Sequence, residues 1–572
     1  MFEAPLQPAI DLQGGLSAFN GQAPSINPLT LALPLIVALV ISMAVIPVMV
    51  RLAQRFGLID EPDVRKVHTQ PVPRVGGFGI FFGALVPLVL LLPFDQTLVA
   101  FLVGAGVLFA FGVMDDRREL GHYVKFIGQF LAVIIVVYWG DAYVTRLPFM
   151  GGELISDSAG RLFTVIAMVG MINALNHSDG LDGLAGGEAL LSLFGIAWLA
   201  WLAGGFTVAL IALSVVGGLL GFMRYNTYPA IIFMGDGGSQ FIGYTLGFLA
   251  VQLTQQVNPV LSPALPALLL GLPIADIIAV FLQRMYRKMN WFRATRNHVH
   301  HRLLDLGFHH YESVVVIYSI QAVLVLSAVM MPYETDAVVL GWYLAVVAAV
   351  FLLLYLAESL RWRVHVMNKD SAPVVSARSA SRLARAARWF LAAGLSAFLV
   401  AGSCMATEVP ADFTLLAMML CGLLLVRLGM PSIAQRLPLR ALCYMTIAAV
   451  VYLLNTYQPH YLSGADPLTY AFFGSMVLCA AVVIRYSKQG NFNLTPTDFL
   501  VAIAAFSLAI LSSRGVLDSA IVATVLKAVI LFYGCELVLS WLRYRWNIVT
   551  VAALIALIVI SGRGMGLLSL NF

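Results

Sequence analysis

Apolar residues fill this chain in long unbroken runs, and polar ones arrive in short bursts between them. Such runs fit neither the two-residue period of a half-buried strand nor a soluble helix with one wet face. About 20 consecutive apolar residues cross the hydrocarbon of a bilayer as a helix. Read this way, the pattern predicts about eighteen spans. They lie roughly at 29–50, 77–94, 97–114, 124–140, 162–176, 184–203, 206–222, 238–255, 263–284, 313–331, 337–357, 389–405, 412–427, 440–455, 467–484, 497–512, 517–540 and 547–562. The expected fold is therefore an all-α polytopic membrane protein. A first bundle holds about ten to eleven spans and about seven more follow it.

Composition agrees. Of 572 residues 60% are hydrophobic and 11% charged, with mean hydropathy +0.89, too little charge to cover a soluble surface of this size. The first 27 residues lack a basic leader region, and the first apolar run is long enough to stay as a span. Cys404, Cys421, Cys443, Cys479 and Cys535 stand singly in the last third, mostly within apolar runs. They read as small core or lipid-facing residues rather than disulfide or metal positions.

The placement of charge says more than the net value of +5. With the N-terminus outside, about 29 of the 34 Lys and Arg fall in or beside the inside connections. The outside segments hold only Arg146, Arg161, Arg514 and Arg563, while Lys527 lies within a span. This asymmetry places both termini outside the cytoplasm. It also suggests four regions: an extracytoplasmic segment 1–28, a membrane-embedded domain 29–357, a basic linker 358–388 and a C-terminal membrane domain 389–572. In the linker, Arg378, Arg382, Arg385 and Arg388 recur at helical spacing, which suits either an interfacial helix on anionic lipid or an ordinary inside loop. Lys527 and Glu536 share one C-terminal span, either as a pair or each snorkelling to an interface.

Five inside segments of the first half carry chemistry. In "RKVHTQPVPRVGG", Arg65, Lys66, His68 and Arg74 bring positive charge into a Pro/Gly-framed loop, as a phosphate or diphosphate needs. In "MDDRRELGHYVK", Asp115 and Asp116 end a span, Glu119 follows one turn on, and Lys125 begins the next. Adjacent carboxylates there suggest a cation, a general base or merely a helix end. In "NALNHSDGLDG", Asn173, Asn176 and Asp179 share one helix face and Asp182 follows in a glycine-rich turn. Amides there can bind a nucleobase or sugar, and carboxylates a cation or ribose. In "IFMGDGGS", Asp236 stands between glycines at a helix start, which suits phosphate and Mg²⁺, and Phe233 could stack on a base. In "NHVHHR", His298, His300 and His301 lie near Arg293, Arg296 and Arg302. With arginines nearby and no cysteine, imidazoles contacting phosphate fit better than a zinc site.

In this order and on one membrane face, the set resembles the polyprenyl-phosphate N-acetylhexosamine-1-phosphate transferases. Arg65-Lys66-x-His68, Pro73-Arg74-x-Gly76-Gly77, Asp115-Asp116, Asn173-x-x-Asn176-x-x-Asp179-Gly180-x-Asp182-Gly183, Phe233-Met234-Gly235-Asp236 and His298-x-His300-His301 carry the likeness, across residues 30–330. The His-x-His-His form is similar to the UDP-GlcNAc branch, not the muramyl-pentapeptide branch. Glu119 stands where the family often has a third aspartate. Residues 389–572 have no counterpart in the core family.

The resemblance implies a transferase helical bundle in the bacterial cytoplasmic membrane. It would move N-acetylhexosamine 1-phosphate, GlcNAc foremost, from a UDP-N-acetylhexosamine to polyprenyl phosphate, releasing UMP. By the same resemblance Asp236 would hold Mg²⁺, with Mn²⁺ as a substitute. Asp115 would share the metal or act as base, and Asp116 would assist. Phe233, Asn176 and Asp179 would hold uridine, and the histidines with Arg302 the phosphate or sugar. Membrane lipids are expected partners and nucleic acid is not; a homodimer and downstream glycosyltransferases stay open. A transporter or flippase is the rival from another class, but it would place ionisable groups near the bilayer midplane, whereas these acids cluster at span ends.

Overall fold

A computed structural model describes residues 28–61, 70–118, 120–289, 297–364, 377–406, 408–429, 439–457, 467–486, 496–513, 519–542 and 547–566. Every apolar run read as a span falls on helix, all but one of them without a break, because a backbone surrounded by lipid must satisfy its hydrogen bonds within one segment. Thirteen helices are long and apolar enough to cross a membrane, and three shorter apolar helices join them among the described residues. The chain divides into two compact units, residues 1–366 with 495–500, and the remainder.

The first unit opens with α1 (Pro28–Phe56), a hairpin of β1 (Ile59–Asp60) and β2 (Val72–Pro73), and α2 (Gly76–Leu91). The strands pair antiparallel, Ile59 with Pro73 and Asp60 with Val72. Next come α3 (Gln96–Arg118), α4 (His122–Ile134) with a π-helical turn to Trp139, α5 (Asp157–Ser178), α6 (Leu184–Leu202) and α7 (Phe206–Asn226). Helix α8 (Gly235–Val251) is prolonged by a second π-helical segment to Val257.

Apolar residues bury α6, α7 and α8 in the centre of this bundle, with Leu190, Val215, Leu219, Ile242 and Leu246 among them. Small residues let these helices approach closely, as membrane bundles require. A Cβ at Gly217 would lie 2.2 Å from the Leu35 carbonyl oxygen of α1.

The run at 263–284 is not one helix. It divides into α9 (Leu265–Leu269) and α10 (Gly271–Tyr286). Gln321 repairs the break: its Oε1 accepts the Leu272 N–H at 2.9 Å and its Nε2 donates to the Leu269 carbonyl at 3.2 Å. A short α11 (Val299–Asp305), then α12 (His310–Met330) and α13 (Asp336–Ser359), complete the unit's helices.

The second unit contains α14 (Ala377–Met405), α15 (Ala411–Gly429), α16 (Leu439–Tyr457), α17 (Pro467–Tyr486), most of α18 (Pro496–Ser513), α19 (Ser519–Trp541) and α20 (Ile548–Gly564). Leu391, Leu395, Leu424, Val450, Leu531 and Leu557 belong to its core. Arg378, Arg382, Arg385 and Arg388 form the opening turns of α14 itself, so the basic stretch extends a span instead of making a separate interfacial helix. Lys527 and Glu536 are not a pair. Nine residues apart, they point to opposite sides of α19, about 13 Å apart along its axis. Glu536 accepts from Tyr444 at 2.5 Å and pairs with Arg440 at 2.7 Å, whereas the Lys527 ammonium lies 5.8 Å from the Phe473 ring centre.

Candidate active site

Five helix ends and two loops of the first unit converge on one polar centre. Asp115, 4% exposed on the last turns of α3, and Asp236, on the first turn of α8, both lie 2.6 Å from the Lys125 ammonium of α4. Two carboxylates from helices distant in the chain thus share one cation. Asn176, on the last turn of α5, donates to Asp236 Oδ1 at 2.7 Å and to Ser239 Oγ at 2.8 Å. The remaining oxygen of Asp115, Oδ1, is buried without a hydrogen-bond partner. Such an orphaned carboxylate oxygen is costly unless a donor or cation arrives.

Asp116 does different work from its neighbour. Its Oδ1 accepts the Asp236 N–H at 2.8 Å and its Oδ2 the Gly237 N–H at 3.1 Å. A side chain of α3 therefore caps the first turn of α8, satisfying orphan amides and answering the positive end of the helix dipole. Each oxygen accepts one backbone amide, so Asp116 holds the first turn that carries Asp236. The approach depends on glycine. Gly235 has φ +73°, and a Cβ there would lie 2.6 Å from Asp116 Oδ2.

The loop before α8 is pinned on both sides. Arg74 forms a parallel bridge with Phe233, whose N–H donates to Pro73 O at 2.8 Å, and Gly76 N–H donates back to Phe233 O at 2.9 Å. This holds the half-buried Phe233 two residues before the start of α8. The Arg74 guanidinium itself pairs with Asp60 of β1. On the other side Asp182 Oδ2 accepts the Ala230 N–H at 3.0 Å, and its own N–H donates to His310 Nε2 at 3.1 Å. Asp182 thus braces the loop.

Asn173 turns towards Gln129, donating at 2.8 Å, and Gln129 in turn reaches Gln240 at 3.3 Å. Asp179 ends α5 as its C-cap. Burial, then the charges of Asp236 and Asp182, push its carboxyl up to about 7.

Beside these carboxylates runs a file of imidazoles. Ring centres are 5.5 Å apart for His177 and His298, 5.8 Å for His298 and His300, and 4.2 Å for His300 and His301. His300 packs against the Gly180 turn, where a Cβ would meet its Nε2 at 2.3 Å. Burial, then the charges of His301 and His298, push His300 down to about 3. It is neutral at physiological pH, so any phosphate contact it makes is a hydrogen bond rather than an ion pair. Arg302 leaves the file: its Nε and Nη2 donate to the two Glu358 oxygens at 2.7 and 3.0 Å. A guanidinium prefers that planar two-point match, which here ties α11 to the end of α13.

Of the expected site residues, Asp115, Lys125, Asn176 and Asp236 meet directly. Asp116, Asp182 and Arg74 hold the frame, and Arg302 is paired with Glu358. Arg65, Lys66 and His68, together with Glu119, Arg293 and Arg296, lie outside the described residues. Sequence reasoning missed His177, Gln129, Gln240 and Asp276. Asp276 was detectable as an isolated acid within the apolar run 263–284.

A profile of glycosyl transferase family 4 matches residues 98–254, which bring in Asp115, Asp116, Lys125, Asn176 and Asp236. Among curated relatives, a probable undecaprenyl-phosphate N-acetylglucosaminyl 1-phosphate transferase of Bacillus subtilis is 32% identical over 304 residues, covering 52% of this chain and 84% of the relative. A decaprenyl-phosphate N-acetylglucosaminephosphotransferase of Mycobacterium tuberculosis is 32% identical over 366 residues, covering 57% and 90%. An undecaprenyl-phosphate alpha-N-acetylglucosaminyl 1-phosphate transferase of Escherichia coli K12 is 27% identical over 292 residues, covering 50% and 79%.

Proposed function

The chain belongs to glycosyl transferase family 4, the polyprenyl-phosphate N-acetylhexosamine-1-phosphate transferases, and from that premise we propose how its polar centre works. It is a multi-pass membrane enzyme that transfers N-acetylhexosamine 1-phosphate to a polyprenyl phosphate. The donor is UDP-GlcNAc. An oxygen of the lipid phosphate attacks the β-phosphorus, the bond to the α-phosphate oxygen breaks, and UMP leaves. The site faces the cytoplasm of the bacterial inner membrane and both termini face outward, in keeping with the distribution of basic residues. Only an interfacial site lets a water-soluble nucleotide sugar meet a prenyl chain.

The observation that carries this reading is the convergence of Asp115 and Asp236 on Lys125, with Asn176 holding Asp236 from the other side. Among the described residues no three His, Cys, Asp or Glu side chains are grouped as a metal cage. Mg²⁺ needs none, since it is usually held by one or two carboxylates together with substrate oxygens and water. Asp236 and the orphaned Asp115 oxygen fit that role, with Mn²⁺ able to stand in. The ion supplies charge neutralisation on the diphosphate.

The chain's own groups supply position. Lys125 keeps two carboxylates together that would otherwise repel, and Asp116 fixes the first turn of α8. Neutral His300 offers hydrogen bonds to phosphate or sugar. Phe233, Asn176 and Asp179 line the uridine side, and a phosphate monoester with a second pKa near ~6 needs little help in losing its proton.

Incubating the purified protein with labelled UDP-GlcNAc, undecaprenyl phosphate and Mg²⁺ tests the reading. UMP release is expected, and Asp236→Asn should abolish it; turnover above about a tenth of wild type would remove Asp236 from the centre. Parallel incubations with other UDP-N-acetylsugars decide the sugar.

A further inference from the structure

Asp276 belongs to no motif of the chain and lies in the apolar helix α10, 8% exposed. A buried carboxylate beside Leu272, Pro273 and the second buried acid Glu188 is expensive unless its oxygens are matched. Both are. Oδ1 accepts the Val299 N–H at 2.9 Å, and Oδ2 lies 2.7 Å from Nδ1 of His298. The first bond caps α11, and the second meets the leading residue of the His-x-His-His run.

We propose that Asp276 is the positioning residue of His298, holding its ring in the Nδ1–H form so that Nε2 is the atom presented to the sugar diphosphate. This rests on the transferase reading above. An ionised carboxylate can only accept, so a 2.7 Å contact requires the imidazole proton on Nδ1. The neutral ring then has an acceptor at Nε2, and Asp276 stabilises the imidazolium if that nitrogen takes up a proton. The same arrangement orients histidines in metal sites and hydrolase triads, where the outer carboxylate fixes tautomer and ring angle.

Two further observations place the ring beside the chemistry. His298 stacks within 22° of His177, the residue after Asn176, whose amide holds Asp236. It also lies within 11° of the His300 plane, with ring centres 5.8 Å apart. Two neighbouring rings and a hydrogen bond at one nitrogen restrict how the His298 ring can turn. The fold places its anchor on α10, 22 residues upstream, and not within the motif's own loop.

Asp276→Asn separates positioning from packing. The amide is isosteric and its oxygen can still accept from Val299, but its NH₂ faces Nδ1 and forces the proton to Nε2. In the full-length protein we expect kcat/KM for UDP-GlcNAc to fall about 30- to 100-fold, with the thermal midpoint nearly unchanged. The double variant with His298→Gln should be no slower than His298→Gln alone, because Asp276 acts through that ring. Nitrogen NMR of ¹⁵N-histidine protein should show, in the wild type, an Nδ1–H signal that is lost in His298→Gln and inverted in Asp276→Asn.

Asp276→Asn activity within twofold of wild type, multiplying losses in the double variant, or an Nε2–H form of His298 in the wild type would each overturn the proposal. The last readout needs no variant of Asp276 to fold. A wild-type protein that releases no UMP would instead sink the transferase reading, which keeps the two failures apart.

Discussion

The side chains of the centre share their partners unequally, and this sets how each responds to change. His300 is the clearest case, because burial holds it neutral. Its ring is protonated in the unfolded chain below about pH 6.5 but in the folded protein only near 3. The stability tied to its neutral form is therefore fully present above pH 6.5 and is lost as pH falls from there towards 3. Thermal unfolding of the wild type should worsen over that interval more than that of His300→Gln, while the KM for UDP-GlcNAc stays flat from pH 6.5 to 8.5. A KM that rises steeply across pH 6.5 would mean that a cationic His300 holds the phosphate. The paired acids, the amides and the histidine run were legible as residues, since each is costly in an apolar chain without a ligand. Their partners were not. Whether Asp116 would face substrate or the amides of Gly237, and whether Arg302 would hold phosphate or Glu358, depends on helices more than 50 residues away.

Element by element, the apolar runs foretold the helices because lipid leaves the backbone no alternative. The sequence pattern did not disclose the break between α9 and α10 or the π-helical ends of α4 and α8. The break is stabilised by Gln321 on α12, a polar residue about fifty positions away that hydropathy reads as noise. The contact between α3 and α8 has the most at stake. A Cβ at Gly112 would lie 2.4 Å from the Gly237 Cα, so the helices that bring Asp115 and Asp236 together touch backbone to backbone. Asp116→Ala should therefore do two things. Losing the cap should cost about 1 kcal/mol of stability. Letting Asp236 drift by about 1 Å should lower kcat about a hundredfold. Asp116→Asn, which keeps one acceptor, should fall between Ala and wild type in both assays. Full activity in Asp116→Ala would show that the cap does not set the position of Asp236.

For the molecule as a whole, the basic residues predict an orientation that labelling can read. In a cysteine-free background, Arg146→Cys should react with a membrane-impermeant thiol reagent in intact cells, and Arg361→Cys only after lysis. The reverse pattern would turn the protein over in the bilayer and put the polar centre on the wrong side for a cytosolic nucleotide sugar. The C-terminal unit keeps its own core, and the Bacillus subtilis and Mycobacterium tuberculosis relatives match 52% and 57% of this chain. Its helices were legible, but its purpose was not: Glu536, the acid within the apolar helix α19, is engaged with Arg440 and Tyr444.

The single amine between two acids has a further consequence. One lysine serves both, so a change that removes its amine leaves Asp115 and Asp236 facing each other without their shared partner.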